Sequence, residues 1–393
     1  MSQVSASSPA ADPVARAREI GPFVAEAADE IERIQAIPGP VLDRIIAARL
    51  HRMLLPKSVD GDQVEPWVYA RAIEEISRYD ASVGWNLFVA NSAALIAPFI
   101  PLSAAKAIYD DPRGWVAWGP PNEHKCHAVP GGYRVTGEWH FASGSRQATW
   151  MGAHCHVVEP DGSLRLNRFG RPTIKTLLYP KSQRTPIEDW NTLGMRGTAS
   201  EGYRLDDVFI PEDFTGTRED PDSRRDRGPL YAFTMPGLYS VGVAGVALGI
   251  ARAMLDEFVA LAKSKTPRGY VRLADSPVIQ SDVAHREAAL GSARAWLTET
   301  LKEIWDRADD LAPIGTDDRV KVRLICANAI KASIETADWV YKAAGVSAIF
   351  KGTPFERRFR DMHTLSQQIQ SRDAHFETVG KIMFNGDPDG TFL

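Results

Sequence analysis

The residues of this chain able to do chemistry fall into four groups. Trp139-His-Phe-Ala-Ser143-Gly144 closes an expected strand. An aromatic face beside a small hydroxyl at a turn suits a flat heterocycle, with Trp139 or Phe141 against the ring and Ser143 hydrogen bonding to its edge. A plain strand-to-turn corner accounts for the same residues. Arg268, in Thr-Pro-Arg-Gly-Tyr, lies between two expected helices. Its forked guanidinium matches phosphate oxygens, although a solvated surface arginine reads the same way. His363 and Gln367 are four apart on an expected helix and share a face, with Gln370 a turn further on. Such a polar stripe is also what the solvent side of a bundle helix looks like, and His375 is expected at the surface. His124, Cys126, His127, His154, Cys155 and His156 are metal-ligating types, and His154 and His156 share a strand face. No further carboxylate or histidine completes a set, and no metal is expected.

Three textures along the chain would have to position these groups. Residues 14–34, 41–53 and 66–78 carry helical periodicity, and 83–99 is apolar nearly all round, which predicts a buried helix interrupted by Asn86, Asn91 and Ser92. Ser103 is expected to cap a short helix ending at Tyr109. Short β-rich runs follow at 114–118, 132–141, 148–158, 173–179 and 202–210, separated by Gly, Pro, Asn and Asp. With no helix-length segments between them, they predict an antiparallel barrel or sandwich. From about 230 to 384 the pattern is helical again. Ser276-Pro277 and Thr353-Pro354 are expected helix starts, and Gly345 an expected stop. Gly242, Gly245 and Gly249 mark a helix that another backbone approaches closely. The fold class is therefore mainly α with a central β domain. Its expected units are an N-terminal helical domain (1–113), a β-barrel (114–225) and a C-terminal four-helix bundle (226–393).

The bulk properties narrow the function. A length of 393 residues suits two or three packed units. A net charge of -4 gives no electrostatic case for nucleic acid or an anionic membrane surface. The Arg224-Arg225-Asp226-Arg227 run reads as a solvated loop. Cys126, Cys155 and Cys326 form no C-x-x-C pair, which fits a reducing, cytoplasmic setting. Residues 1–13 lack the basic start and apolar stretch of a signal peptide and read as a disordered arm. The apolar run 241–251 is too short to span a bilayer. There is no P-loop, G-x-G-x-x-G or G-x-S-x-G, so a nicotinamide domain is not evident.

Four stretches, in this order, resemble the acyl-CoA dehydrogenase superfamily from about residue 14 onward. They are Gly131-Gly-Tyr-Arg-Val-Thr-Gly-Glu-Trp-His-Phe-Ala-Ser-Gly144; Leu193-Gly-Met-Arg-Gly-Thr-Ala-Ser200 with Leu205-Asp-Asp-Val-Phe-Ile-Pro211; Gly245-Val-Ala-Leu-Gly-Ile-Ala251; and Gly345 to Asp361 with its Pro354-Phe-Glu-Arg-Arg-Phe-Arg-Asp. The family's dehydrogenases place a glutamate after the pair matching Arg360-Asp361. Here Ser366-Gln-Gln-Ile-Gln370 has no carboxylate to act as the base. Trp139 to Gly144 and Trp118-Gly-Pro-Pro-Asn122 are closer in form to the reduced-flavin monooxygenases of this fold, which include aromatic hydroxylases and the dibenzothiophene monooxygenase.

That resemblance implies reduced FMN, or FAD, delivered by a separate flavin reductase, O2 as co-substrate, a small apolar or aromatic substrate and a homotetramer. Trp118, Asn122, Trp139, Phe141 and Ser143 would line the flavin ring, and Arg268, Gly345 and Ser347 its phosphate. Trp85, Asn91 and Gln367 would line the substrate, with His363, Ser143 and Asn91 as the reacting groups. A catalytic histidine often carried by relatives falls at Gln367, so His363 replaces it or the substrate needs no such base. A dehydrogenase or oxidase of the same fold, and a non-catalytic flavin-binding protein, are the alternatives.

Overall fold

The computed structural model describes residues 12–218, 223–309 and 312–386. Six helices open the chain: α1 (Pro13–Glu26), α2 (Ala28–Ile34), α3 (Gly39–Ala47), α4 (Pro66–Ser77), α5 (Ala81–Ala94) and α6 (Leu102–Tyr109). The single helix expected over 14–34 is two, parted at Ala27. The helix expected to reach Met53 stops at Ala47. Arg49 takes a left-handed conformation (φ 55°) while its guanidinium bonds Asp60 at 2.8 Å and Asp62 at 3.1 Å. Ser103 lies inside α6 and Pro101 takes the cap position. α5 is buried at every residue, and its start is fixed by Asp80, whose Oδ1 accepts from the Val83 N–H at 2.9 Å.

The middle of the chain forms one sheet of β1 (Val116–Trp118), β2 (Lys125–Val129), β3 (Gly132–Ala142), β4 (Trp150–Val158), β5 (Ile174–Pro180), β6 (Thr185–Ile187), β7 (Glu201–Pro211) and β8 (Thr215–Gly216). The order is β6-β7-β3-β2-β4-β5-β8, with β1 also on β4. This corrects the expectation of a wholly antiparallel sheet, because β4 runs parallel to both β1 and β2. The reason is the route of the chain. β3 returns beside β2 as a hairpin, and the 143–149 turn then carries it across to β2's other edge. That turn contains Ser143.

The remaining helices are α7 (Met235–Ala262), α8 (Pro277–Asp306), α9 (Thr316–Ala344), α10 (Glu356–Ser366) and α11 (Ala374–Met383). Thr234 caps α7 through the Gly237 N–H at 3.1 Å. Ser276 stands at the cap position of α8 without a side-chain bond, and α10 begins at Glu356 rather than beside Thr353. The small-residue stripe of α7 lies against α4: a Cβ on Gly249 would sit 2.4 Å from the Glu74 carbonyl oxygen, and one on Gly245 2.9 Å from that of Ala70. Segments 81–99 and 235–262 are apolar and long enough to cross a membrane, but 94% and 89% of their most apolar windows are buried inside the fold.

Several polar residues expected at the surface are instead inside. Gln370 is buried and its Oε1 accepts from Ser240 Oγ at 2.8 Å and from the buried Arg323. This network satisfies three polar groups within the bundle core. His375 is also buried, with Nε2 2.8 Å from the Ile369 carbonyl. Arg225 is a clamp rather than a solvated side chain, bonding the carbonyls of Ala97 and Ile100 and the Asp226 carboxylate. One contiguous hydrophobic core joins residues from all three parts of the chain. Gly249→Ala should therefore cost about 1–3 kcal/mol by forcing α4 off α7. Urea unfolding reads this directly, and an unshifted midpoint would refute the close approach.

Candidate active site

The site begins at the end of β3. Strand alternation would point Trp139 and Phe141 to the same face. The β3–β7 register slips between Trp139 and Ala142, and Phe141 takes φ 61°. This bulge splits the pair. Trp139 is fully buried, stacked on Tyr203 at 5.5 Å with its N–H on the His154 carbonyl. Phe141 is turned out, 64% exposed, with Trp190 edge-on at 6.3 Å. The ring-facing assignment of Trp139 is thus corrected: Trp139 fills the sheet's interior and Phe141 is the exposed aromatic. Trp118 is half-buried beneath Arg218 at 5.0 Å. The exposed Asn122 closes a local turn, donating to the Glu138 carbonyl at 3.3 Å and accepting from the His124 N–H at 3.0 Å.

Ser143 follows the bulge and is 6% exposed. Its Oγ accepts from Trp85 Nε1 at 3.0 Å and lies 2.6 Å from Ser200 Oγ. Ser200 Oγ lies 2.7 Å from Thr198 Oγ1, which donates to the Met195 carbonyl at 2.8 Å. The structure therefore unites α5, the 143–149 turn and the 194–200 loop around one hydroxyl. The next turn locks on too, with the Gly144 N–H donating to the Thr198 carbonyl at 2.9 Å. Composition alone did not single out Thr198 or Ser200, which only the resemblance had drawn in. Their signal was a run of small polar residues ahead of a strand.

The 194–200 loop is held from α10. Met195 and Ala199 both adopt left-handed backbone conformations (φ 53° and 45°), which are costly for residues with a Cβ. The Met195 N–H donates to Asp361 Oδ1 at 2.6 Å and the Gly194 N–H to Thr364 Oγ1 at 3.0 Å. A Cβ on Gly194 would come within 2.3 Å of the Arg360 backbone, so only glycine allows this approach. α10 is fastened in turn to α2, since Arg357 and Arg360 bond Glu32 at 2.7 and 2.6 Å.

Other expected site residues stand elsewhere. Asn91 is fully buried and its amide donates to the carbonyls of Leu50 and Leu87 at 2.8 Å and accepts from the Leu54 N–H at 3.0 Å. One donor holds the 50–54 segment and the other its own helix, so neither is left for a ligand, which corrects its place in the pocket. His363 faces α9, with Nε2 2.9 Å from Asp338 Oδ1 and its ring against Phe359, on a different side of α10 from Asp361 and Thr364. Gln367 is exposed, and its side chain bonds Ser366 at 3.2 Å. Its neighbour Gln368 lies near the Tyr239 hydroxyl. From Trp85, Phe88 and Tyr239 continue edge-to-face at 4.6 and 4.9 Å toward that glutamine. This aromatic path was not read from the sequence, because its members lie on two helices far apart in the chain.

Arg268 is exposed in the loop between α7 and α8. Lys265, three residues before it, donates to the Ala344 carbonyl at 2.5 Å and to Ser347 Oγ at 2.8 Å. Gly345, with φ 56°, ends α9 beside it. The structure thus brings Gly345 and Ser347 to the loop of Arg268, and Lys265 is the residue overlooked. His154 is buried on Thr176 at 3.0 Å, and burial holds its ring well below the usual imidazole range, so it is neutral. A cleft of about 400 Å³ opens beside Asp80, Arg357, Arg358 and Asp361, and its lining does not include Ser143 or Trp85.

Burial, reinforced by the charge of Asp80, lifts the Asp361 carboxyl to about 7, and burial lifts Asp80 to about 6. A carboxyl raised in the fold binds its proton more tightly than in the unfolded chain. It favours folding at low pH, and that contribution is lost as pH rises from near 4 through about 7. Asp361→Asn keeps an oxygen for Met195 and should flatten the stability–pH curve over that window. Thermal melts from pH 4 to 8 measure it, and parallel curves for the two proteins would show that Asp361 does not titrate there.

Residues 241–372 match the family model for the acyl-CoA dehydrogenase C-terminal domain. Indole-3-acetate monooxygenase of Pseudomonas putida is 30% identical over 366 residues, covering 91% of this chain and 90% of that protein. The oxygenase component of the FADH2-dependent resorcinol hydroxylase of a Rhizobium species is 25% identical, covering 96% and 95%. Among solved structures, XiaF from Streptomyces in complex with FADH2 and glycerol superimposes with a TM-score of 0.88 at 24% identity, covering 98% of this chain and 97% of that one. The chain belongs to the acyl-CoA dehydrogenase superfamily, in its branch of flavin-dependent monooxygenase oxygenase components.

Proposed function

We propose that this flavin-dependent monooxygenase takes reduced FMN from a separate flavin reductase and inserts one oxygen atom of O2 into a small aromatic, indole-like substrate. The observation that carries this reading is the buried Trp85–Ser143–Ser200 cluster just past the end of β3, in a chain 30% identical to an indole-3-acetate monooxygenase. The cluster suits a flavin: Ser143 is a buried hydroxyl with acceptor capacity left, and Phe141 and Trp190 offer an apolar wall beside it. When bound, reduced flavin supplies the electrons that activate O2. Ser143 would hold the ring edge, and Phe141 would keep water from it.

The tail of the flavin would be held by Arg268, whose forked guanidinium matches the oxygens of an FMN or FAD phosphate. Lys265 keeps Gly345 and Ser347 next to that loop. Tyr270, Val271, Val346, Ile349 and Phe350, all at least 59% exposed, surround these residues with apolar surface. That surface supports a homotetramer in which one subunit's tail residues serve a neighbour's ring. The substrate would lie against Trp85 and Tyr239, which Phe88 backs from the core, with Gln368 and the Tyr239 hydroxyl orienting a polar substituent. Asn91 and Gln367 have no part in this reading, and His363 is proposed to steady α10 against α9. The free cysteines accord with a cytoplasmic location.

Supplied with chemically reduced FMN, indole-3-acetate or indole, and isotopically labelled O2, the enzyme should form a product carrying one labelled oxygen. Hydrogen peroxide as the sole product across a panel of aromatic substrates would count against the reading. Anaerobic bleaching of bound flavin by an acyl-CoA would favour a dehydrogenase. Arg268→Ala should weaken reduced FMN about tenfold or more while leaving the fold intact, as expected for loss of a charge-assisted bond. Unchanged affinity in equilibrium titration would remove Arg268 from the phosphate site.

A further inference from the structure

The hydroxyls around Ser143 have a fixed direction. Thr198 Oγ1 lies 2.8 Å from the Met195 carbonyl oxygen, an acceptor only, so the Thr198 proton must sit between them. Turned the other way, two lone-pair-bearing oxygens would face each other at that distance inside the protein. Thr198 therefore accepts from Ser200 across their 2.7 Å contact. Ser200 has then spent its one proton and must accept from Ser143 across 2.6 Å. Trp85 Nε1 can only donate, and it donates to Ser143 at 3.0 Å. The run is Trp85 to Ser143 to Ser200 to Thr198 to the Met195 carbonyl. Ser143, Ser200 and Thr198 are 6%, 4% and 0% exposed, which leaves water little access to reverse it.

We infer that this one-way relay leaves Ser143 able only to accept a hydrogen bond from a bound ring, and so makes the site select reduced over oxidised flavin. A hydroxyl has one proton and two lone pairs. The Ser143 proton goes to Ser200, one lone pair takes the Trp85 N–H, and a single lone pair remains. Reduced isoalloxazine carries an N–H at N5, whereas oxidised isoalloxazine carries a bare lone pair there. The first completes the relay, and the second meets it lone pair to lone pair. Thr198 and Ser200 are positioning residues that act through Ser143. The inference rests on the proposed reading of Ser143 as the flavin-facing hydroxyl.

Anaerobic titrations of the full-length enzyme with oxidised FMN and with reduced FMN test it, using the ratio of the two dissociation constants. In Ser200→Ala the Ser143 proton is freed to point at the ring. In Thr198→Val the Ser200 proton loses its acceptor and turns back toward Ser143. Both variants should lower the oxidised-to-reduced ratio about tenfold, chiefly by tightening oxidised FMN, the worth of one hydrogen bond. The absorption band of bound oxidised FMN should shift with it. Thr198→Ser retains the relay and should keep the wild-type ratio, which separates direction from packing. If Ser143→Ala changes the ratio but Ser200→Ala and Thr198→Val do not, the relay is wrong. If Ser143→Ala leaves both affinities untouched, the placing of flavin at Ser143 is wrong.

Discussion

The Met195 backbone is the joint on which the site turns. Its N–H is taken by the buried Asp361 carboxylate and its carbonyl receives the Thr198 hydroxyl and the Trp190 indole. Backbone groups buried this deeply must be paired, and here the N–H of Met195 is paired with a side chain remote in sequence and its C=O with two from its own loop. The left-handed turn at Met195 is unfavourable on its own and persists because these bonds over-determine it. α10 supplies the acceptor on one side. The hydroxyl run to Ser143 hangs from the other. A helix of the bundle, a loop of the sheet region and the buried helix α5 are thereby held to one geometry.

That arrangement explains why the site is assembled from distant segments without being soft. Asp80 fixes the first turn of α5, which aims Trp85 at Ser143. Glu32 fixes α10 through two arginines, which places Asp361. Each of these supports is a charge-assisted bond in a partly or fully buried setting, where pairing is strong and loss of one partner is expensive. The groups that would meet a flavin or a substrate therefore inherit their positions from residues that would never touch either.

The three-part architecture was legible because periodicity is a local property, and long helices and alternating strands write it plainly. The resemblance to a known family was legible for a related reason: its motifs are the turns and close approaches, such as Gly194 on α10, where few residues fit. Errors arose where a choice depended on partners remote in sequence. Trp139 and Phe141 have the same spacing logic, and only the register slip against β7 tells them apart. Gln367, Gln368 and Gln370 are chemically alike, and which of them faces inward depends on where α10 stops. Asn91 reads as a polar residue saved for function until the short 3-10 turn and bend at 50–54 are seen to need its amide. The parallel pairing of β4 was likewise invisible, since nothing local in β4 records which neighbour it meets.

The bulge at Phe141 has a consequence for how such an enzyme can diversify. Because one extra residue separates the side chain that packs the sheet's interior from the one that faces outward, the two are mechanically uncoupled. A lineage could enlarge, shrink or polarise the outward ring and so re-tailor what the site admits, while the stacked Trp139 and Tyr203 continued to hold the scaffold at full strength. Adaptability here is a product of backbone irregularity, and the usual penalty of trading robustness for new chemistry would fall lightly at that position.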